Sequence, residues 1–177
     1  MKLHRLAGGL WLALLLTIGL VSTTEASDGT RAPAQSYGLS SALERALELK
    51  RAWRYAEALE GFADVLDVSP RNVKALVESA YIHNLHGRHG KAMEMANRAL
   101  QMESRNSQAL EELGYGLWKS RKPREAIGPL QLAVKNDPRN LAALRWLKDV
   151  YEELNEFEMA RDVQRLLEIA ELLPRIE

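Results

Sequence analysis

An internal repeat with a period of about 34 residues runs through most of this sequence and limits its possible folds more than any other feature. When the chain is shifted by one period, Asn72 falls on Asn106, and a second shift brings Asn140 to the same position. A further column holds alanine in four successive copies, namely Ala58, Ala92, Ala126 and Ala160. A fixed period of this length is typical of an array in which each repeat is one supersecondary unit and neighbouring repeats share a continuous core.

The pattern inside each period is helical. In the first period Ala42, Ala46 and Leu49 recur at helical spacing. Pro70 and Pro138, two periods apart, interrupt the pattern because proline disfavours a helical conformation in the residue before it. The later periods predict helices near residues 74–86, 90–103, 108–120, 124–136, 142–154 and 158–172. The sequence therefore predicts eight helices of about a dozen residues joined by short turns, which is an all-α solenoid.

The composition agrees with a helical array and excludes several classes of function. Aromatic residues make up only 6% of the chain, so the core must consist mainly of Ala, Leu and Val. The chain has 24 basic and 24 acidic residues, and it lacks the basic excess of a nucleic-acid-binding protein. It contains no cysteine, which excludes disulfide bonds, thiolate metal sites and a cysteine nucleophile.

The N-terminal segment has the organisation of a secretory signal peptide. Lys2 and Arg5 provide a positive start, residues 6–21 carry no charge, and a run of mostly small side chains ends at Ala26. This order of charged, apolar and small residues is the one that signal peptidase recognises. We therefore predict that residues 1–26 are a signal peptide and that the protein is exported, to the periplasm or out of the cell.

The alternative for this segment is an uncleaved membrane anchor. Its apolar run of 16 residues falls just short of the roughly 17–25 residues that span a bilayer, so we favour cleavage. Residues 27–38 are rich in Gly, Pro, Ser and Thr and predict a flexible linker. The repeat domain then covers residues 39–174, with repeats at approximately 39–72, 73–106, 107–140 and 141–174.

The repeats resemble those of the tetratricopeptide repeat family. The third repeat carries the family's alternation of large apolar, small and proline positions best, at Leu110, Leu113, Gly114, Leu117, Ala126, Leu130, Ala133 and Pro138. The resemblance implies a right-handed α-solenoid of stacked helix-turn-helix pairs. Small residues such as Ala46, Ala80 and Gly114 stand where the first helix of a pair must approach the second. The chain departs from the family at Trp53, where a turn glycine is common, and at Lys148, where a small residue is expected.

The resemblance also implies a binding groove on the inner surface, lined by the first helix of each pair. Tyr81 and Tyr115 lie one period apart and are expected to be stacked neighbours in this groove. Leu43 and Leu47 occupy positions where carboxylate-clamping members carry Lys and Asn, so a chaperone-tail receptor is not implied. We expect the groove to run from apolar and basic, through aromatic, to acidic. The predicted partner-binding residues are Leu43, Leu47, Lys50, Lys74, Val77, Tyr81, Tyr115, Trp118, Lys119, Arg145, Asp149 and Glu152.

One cluster of polar residues has the spacing of a metal site. His83, His86 and His89 lie within two helical turns, and imidazoles at such spacing can bind zinc, copper or nickel. The competing interpretation is packing, because His83 shares a column with Leu117 and His89 shares one with Tyr55. We favour packing and predict neither a metal nor another cofactor.

No combination of residues in the sequence indicates catalysis. There is no G-x-S-x-G motif and no glycine-rich phosphate loop. The leading hypothesis is therefore a non-catalytic adaptor that binds a protein or peptide segment in its groove. The alternatives are an assembly subunit that docks on itself or on a membrane complex through Ile169, Leu172 and Leu173, and a histidine-based metal carrier.

Overall fold

The computed structural model describes residues 32–172, and every regular element in that range is an α-helix. The helices are α1 (Ala32–Arg51), α2 (Tyr55–Val68), α3 (Val73–Leu85), α4 (His89–Met102), α5 (Ser107–Lys119), α6 (Pro123–Asn136), α7 (Leu141–Glu153) and α8 (Phe157–Leu172). The prediction of an all-α array of eight helices is confirmed. Within residues 32–172, no helix combines the length and the hydrophobicity that crossing a membrane requires.

The predicted linker at residues 27–38 is wrong in its second half, because α1 begins at Ala32. Pro33 lies in the first turn of α1, where the missing backbone N–H of proline costs little. The predicted signal peptide lies outside the described residues. Residues 36–172 lie in one compact unit, and of the other unit the structure describes only residues 32–35, the first turn of α1.

The regular spacing of asparagine has a local cause at the start of three helices. Asn72, Asn106 and Asn140 precede α3, α5 and α7, and each side-chain oxygen accepts a hydrogen bond from the backbone N–H three residues further on, at 3.0, 2.9 and 2.9 Å. Such an N-cap satisfies one of the backbone donors that a helix leaves without a partner in its first turn. The asparagine column therefore marks where the first helix begins in the second, third and fourth repeats.

The turn inside each repeat requires a left-handed backbone. Trp53, Gly87, Arg121 and Asn155 lie one period apart and have φ angles of 62, 69, 64 and 61°. In each turn the next residue donates its backbone N–H to the carbonyl five residues earlier, at 2.8 to 3.1 Å, which closes a Schellman motif. Glycine adopts this conformation without steric cost, but only one of the four turns contains a glycine at this position, Gly87.

Close contact between paired helices explains the columns of small residues. Gly114 of α5 lies against Leu130 of α6, and a Cβ atom at Gly114 would stand 2.6 Å from the Leu130 Cγ. Gly61 of α2 similarly meets Ala46 of α1, where an added Cβ would be 3.0 Å from the Ala46 Cβ. Between pairs, α3 packs beside α5 and α5 beside α7. The first helices of successive repeats thus form one continuous inner surface.

Candidate partner-binding groove

On the inner surface, one contact recurs between each repeat and the next. Every time, a residue in the last turn of one first helix meets a residue 28 positions later, in the middle of the next first helix. The period places these contacts in register, but their chemistry changes along the array. The joined residues are Lys50 with Glu78, Asn84 with Glu112, and Trp118 with Trp146.

The first of these contacts is an ion pair between a partly exposed lysine and a buried glutamate, and a second lysine binds the same glutamate. The Lys50 Nζ lies 2.5 Å from Oε2 of Glu78, and the Lys74 Nζ lies 2.6 Å from Oε1. Burial raises the pKa of Glu78, but the hydrogen bonds and charges of the two lysines outweigh that effect and hold the pKa below its ordinary value. Glu78 is therefore ionised and neutralised from both sides.

The second contact buries a carboxyl group against an amide. The Asn84 Nδ2 donates to Oε2 of Glu112 at 2.8 Å and to the Glu112 backbone carbonyl at 2.9 Å. The Asn84 Oδ1 lies 3.1 Å from Nδ1 of His89, which holds the amide from its other side. Glu112 is only 7% exposed, and its burial raises the pKa to about 8 despite the hydrogen bond from Asn84. At neutral pH this carboxyl group is protonated.

The third contact is the centre of an aromatic cluster that spans two repeats. The ring centroids of Trp118 and Trp146 are 5.9 Å apart, and that of Tyr115 lies 4.9 Å from Trp146. The Lys119 Nζ lies 3.5 Å from the centroid of the Trp118 ring, and the Trp118 Nε1 donates to Oε2 of Glu153 at 2.5 Å. All three rings remain partly exposed. We call Tyr115, Trp118 and Trp146 the aromatic cluster.

A small cavity lies between the first two contacts and next to the aromatic cluster. Its volume is about 260 Å³. Glu111 lines it beside Glu112, and burial raises the pKa of Glu111, an effect that the nearby side chains of Asn140 and Trp146 only partly offset. The complete lining of this cavity, which we call the acidic cavity, is Lys50, Val77, Glu78, Tyr81, Gln108, Glu111 and Glu112.

Some residues that the sequence assigned to the groove are packing residues. Leu47 and Val77 are buried, with 8% and 4% of their surfaces exposed, and Leu43 is half-buried against the same core as Leu47. Because little of their surface is left for a partner, the predicted apolar floor at this end of the groove is largely absent.

The expected neighbours Tyr81 and Tyr115 do not pair. The described ring contacts of Tyr115 are with His89 and with the two tryptophans of the aromatic cluster. Tyr81 instead faces Lys50, whose Nζ lies 4.8 Å from the centre of its ring. The prediction of stacked tyrosines was wrong because equivalent positions in adjacent repeats need not turn toward each other.

The predicted gradient from a basic to an acidic end also requires correction. Lys50 and Lys74 are both bound to Glu78, so the positive charge at that end is partly compensated. The middle of the surface, expected to be aromatic, also contains Glu111 and Glu112.

At the other end, the predicted residues mostly bind one another. Arg145 forms an ion pair with Glu171 of α8, with 2.8 Å between Nη2 of Arg145 and Oε1 of Glu171. Asp149 and Glu152 both bind Lys148, each at 3.1 Å. These exposed pairs contribute little to stability and remain accessible to a partner.

The three histidines point to different surroundings. Nδ1 of His86 lies 2.8 Å from the Ile82 carbonyl, His89 bonds to Asn84, and Nδ1 of His83 is buried without a hydrogen-bond partner in the described part of the chain. Among residues 32–172, no group of three or more His, Asp or Glu side chains is arranged to hold a metal ion.

Sequence reasoning missed half of the recurring contact. It placed Lys50 and Trp118 on the inner surface but overlooked the column that they and Asn84 meet, which holds Glu78, Glu112 and Trp146. The signal was present, because the members of this column are also one period apart. It was overlooked because its members share no chemistry that would make the column recognisable.

The chain belongs to the tetratricopeptide repeat family, whose model matches residues 43–109 and 111–172. Proteins of this family generally bind other proteins. The small glutamine-rich tetratricopeptide repeat-containing protein 2 of Mycosarcoma maydis is 26% identical over 101 residues, which cover 57% of this chain and 29% of that protein. The chain thus spans less than a third of the length of this relative.

Solved structures show the same fold at low sequence identity. MamA 41-end from Desulfovibrio magneticus RS-1 superimposes with a TM-score of 0.67 and 16% identity, covering 75% of each chain. A K341M mutant of the O-GlcNAc transferase of Thermobaculum terrenum superimposes with a TM-score of 0.63 and 22% identity, covering 66% of this chain and 22% of that one. These similarities establish the tetratricopeptide solenoid.

Proposed function

We propose that this protein is an exported, non-catalytic adaptor that binds a segment of a partner protein along α3, α5 and α7. The observation that carries the proposal is the aromatic cluster. Tyr115, Trp118 and Trp146 come from two repeats, remain partly exposed and lie beside a cavity. Partly exposed tryptophan and tyrosine at the centre of a concave surface are the residues that most often dominate protein binding.

The energetic requirement for such a site is modest. A micromolar complex corresponds to roughly 8 kcal/mol, and truncation of one aromatic anchor costs about 2 kcal/mol or more. Two tryptophans can therefore account for about half of the binding free energy. Charged groups at the rim, such as Lys119 and Glu152, then contribute mainly to orientation and association rate.

The test begins with a photo-crosslinking amino acid at Lys119, which covers the Trp118 ring, in the protein in its native host. After the captured partner has been identified, its affinity is measured for Trp118→Ala and Trp146→Ala. We expect each substitution to weaken binding by about 30-fold, the equivalent of 2 kcal/mol. Trp53→Ala is the matched control, because Trp53 is 77% exposed and lies in the turn after α1. Unchanged affinity in both folded groove variants would exclude this surface.

Export is the part of the proposal that concerns localisation. Its support is the charged, apolar and small-residue order of the first 26 residues. We expect the mature protein in the native host to begin at or near Ser27 and to be recovered without detergent. Intact-mass spectrometry of the exported fraction measures this directly. An unprocessed N-terminus in the membrane fraction would contradict cleavage and favour the anchor.

Assembly through the last helix is the second candidate function. The outer face of α8 exposes Leu166, Ile169 and Leu172 by 49%, 56% and 82%, at a spacing of three residues. Leu173, the other residue predicted there, lies outside the described residues. Light scattering over a range of protein concentrations distinguishes this role from that of a monomeric adaptor, since Ile169→Glu would abolish a dimer that depends on this face.

A further inference from the structure

We propose that the acidic cavity receives a basic side chain, lysine or arginine, from the partner segment. The inference rests on the proposed function and adds the chemistry of one residue of the partner. It concerns the inner surface where α1, α3 and α5 meet, beside the aromatic cluster.

The first argument is the balance of charge around the cavity. Three carboxyl groups line it, and of these Glu78 is already neutralised by Lys50 and Lys74. No ion pair found among the described residues includes Glu111 or Glu112, although the charge of Lys50 acts to lower the pKa of Glu112. Three carboxyl groups thus face two ammonium groups, so this region contains one carboxyl group in excess of the cations that the protein supplies.

The second argument is the burial of Glu112. More than nine-tenths of this residue is buried, its carboxyl group lines the cavity, and the side chain that bonds to it is the neutral amide of Asn84. A carboxyl group in such a place is unfavourable when ionised, and the one cation in the cavity lining, Lys50, is bound to Glu78. It can remain protonated while the cavity is empty and ionise against an incoming cation, as its raised pKa of about 8 also indicates.

The third argument is the fit of a long aliphatic cation. A volume of about 260 Å³ accommodates an arginine side chain, given roughly 30 Å³ for each water-sized group. Val77 and the ring of Tyr81 provide apolar walls for the methylene groups, and Gln108 offers a further polar atom. The residues described do not form a metal site, so an organic cation is the better match.

The cavity and the aromatic cluster are physically joined. The Trp146 side chain lies close enough to the Glu111 carboxyl group to lower its pKa, so one ring of the cluster borders the cavity. A partner segment with one basic residue and one apolar residue close by would engage both features together. This arrangement distinguishes the cavity from an isolated acidic patch.

The experiment uses a pair of probes that differ in charge but hardly in shape. N-acetylarginine amide and the neutral N-acetylcitrulline amide are titrated into the full-length mature chain, and the side-chain resonances of Tyr81 and Gln108 are followed by NMR. We expect saturable shifts with a millimolar Kd for the arginine probe and at least tenfold weaker binding of the citrulline probe. Equal binding of both probes, or no shift at these residues, would overturn the proposal.

Two substitutions test whether the arginine probe binds in the acidic cavity. Glu112→Gln keeps the shape and the oxygen that accepts from Asn84, and we expect about a tenfold loss of affinity for the arginine probe. Glu111→Gln provides an independent variant in the same cavity, whereas Glu44→Gln removes an exposed carboxyl group of α1 as the control. Unchanged affinity in both folded cavity variants would place the probe elsewhere and contradict the assignment.

The proton linkage provides a second readout. Affinity for the arginine probe is expected to rise between pH 6 and pH 9 as Glu112 ionises, with Glu78, Glu111, Lys50 and Asn84 as the groups that face it. A pH-independent affinity would contradict a role for Glu112. Failure here leaves the groove proposal intact, because the Trp118→Ala and Trp146→Ala measurements depend on the aromatic cluster alone.

Discussion

Gly114→Ala is expected to destabilise the array by about 2 kcal/mol, although helix propensity alone would favour alanine by up to about 1 kcal/mol. The added Cβ would lie 2.6 Å from Cγ and 2.8 Å from Cδ2 of Leu130, and 3.4 Å from the Ala126 carbonyl oxygen. Leu130 is fully buried, so it cannot turn away without disturbing the core of α5 and α6. The packing term therefore outweighs the gain in propensity.

Gly128→Ala is the matched control for this prediction. Gly128 lies in the middle of α6, is exposed, and a Cβ there would have no atom within 4 Å. The same methyl group should therefore stabilise the protein by about 0.5–1 kcal/mol. Urea unfolding of the two variants beside the parent measures both changes. If they shift stability in the same direction, the close approach of α5 and α6 at Gly114 is refuted.

A larger substitution tests the alignment of the whole array. Ala126 is fully buried in the α5–α6 contact, and Ala126→Leu should cost about 3 kcal/mol by overpacking. Gln164 of the last repeat is half-buried and bonded only to exposed Glu168 in the described part of the chain. Gln164→Ala should cost much less, and equal effects at both sites would contradict the repeat register.

The stability of the parent protein is expected to fall as pH rises from about 4.5 to about 8. Over this range the folded state keeps a proton on Glu112, whose pKa is raised to about 8, whereas the unfolded chain has released it. Because the folded state binds more protons, the free energy of unfolding decreases with pH, by up to about 1.4 kcal/mol per unit. The decrease should level off above pH 8.

Two other acids, Glu111 and Glu78, also contribute to the pH dependence of the free energy of unfolding. The raised pKa of Glu111 acts in the same direction as that of Glu112. The lowered pKa of Glu78 acts in the opposite direction, and its stabilisation is lost only as pH falls below the ordinary range of a glutamate. The decline between pH 5 and pH 8 therefore contains contributions from Glu112 and Glu111, opposed near pH 6 by the lowered pKa of His83, and the Glu112→Gln variant isolates the contribution of Glu112.

Glu112→Gln should remove most of this decline. The amide keeps an oxygen to accept from Asn84 and has no charge to bury, so the variant should be more stable than the parent at pH 8, by about 3 kcal/mol. Denaturation at pH 5 to 9 measures the profile, with Glu44→Gln on the exposed side of α1 as the control. A parent profile that rises over this range would show that Glu112 is ionised in the folded protein.

Local features of the sequence were sufficient to predict the helices. Each N-cap asparagine bonds to the backbone three residues away, and each helix needs only its own apolar spacing and its own terminators. Six predicted helices accordingly begin within one residue of those observed, from Val73 to Phe157. The small columns were also predictable, because the approach of paired helices is dictated by the residue that must fit between them, as at Gly114.

The sequence did not show that all four turns inside the repeats share a left-handed backbone. Glycine at position 87 predicts a left-handed backbone, but Trp53, Arg121 and Asn155 adopt it too. Asparagine tolerates this conformation, but the side chains of Trp53 and Arg121 do not favour it, and there the Schellman hydrogen bonds and the packing of the flanking helices impose it. The common geometry was therefore visible only from the repeat alignment combined with the structure.

The chemistry of the groove was decided by tertiary structure. Helical periodicity specifies which side of a single helix faces inward, but the rotation between adjacent repeats decides which inward side chains meet. That rotation joins each position to one that lies 28 positions later, short of a full period. Trp118 therefore meets Trp146, and Tyr81 does not meet Tyr115. The same rotation covers Glu112, and burial rather than residue type then makes it a neutral acid at pH 7.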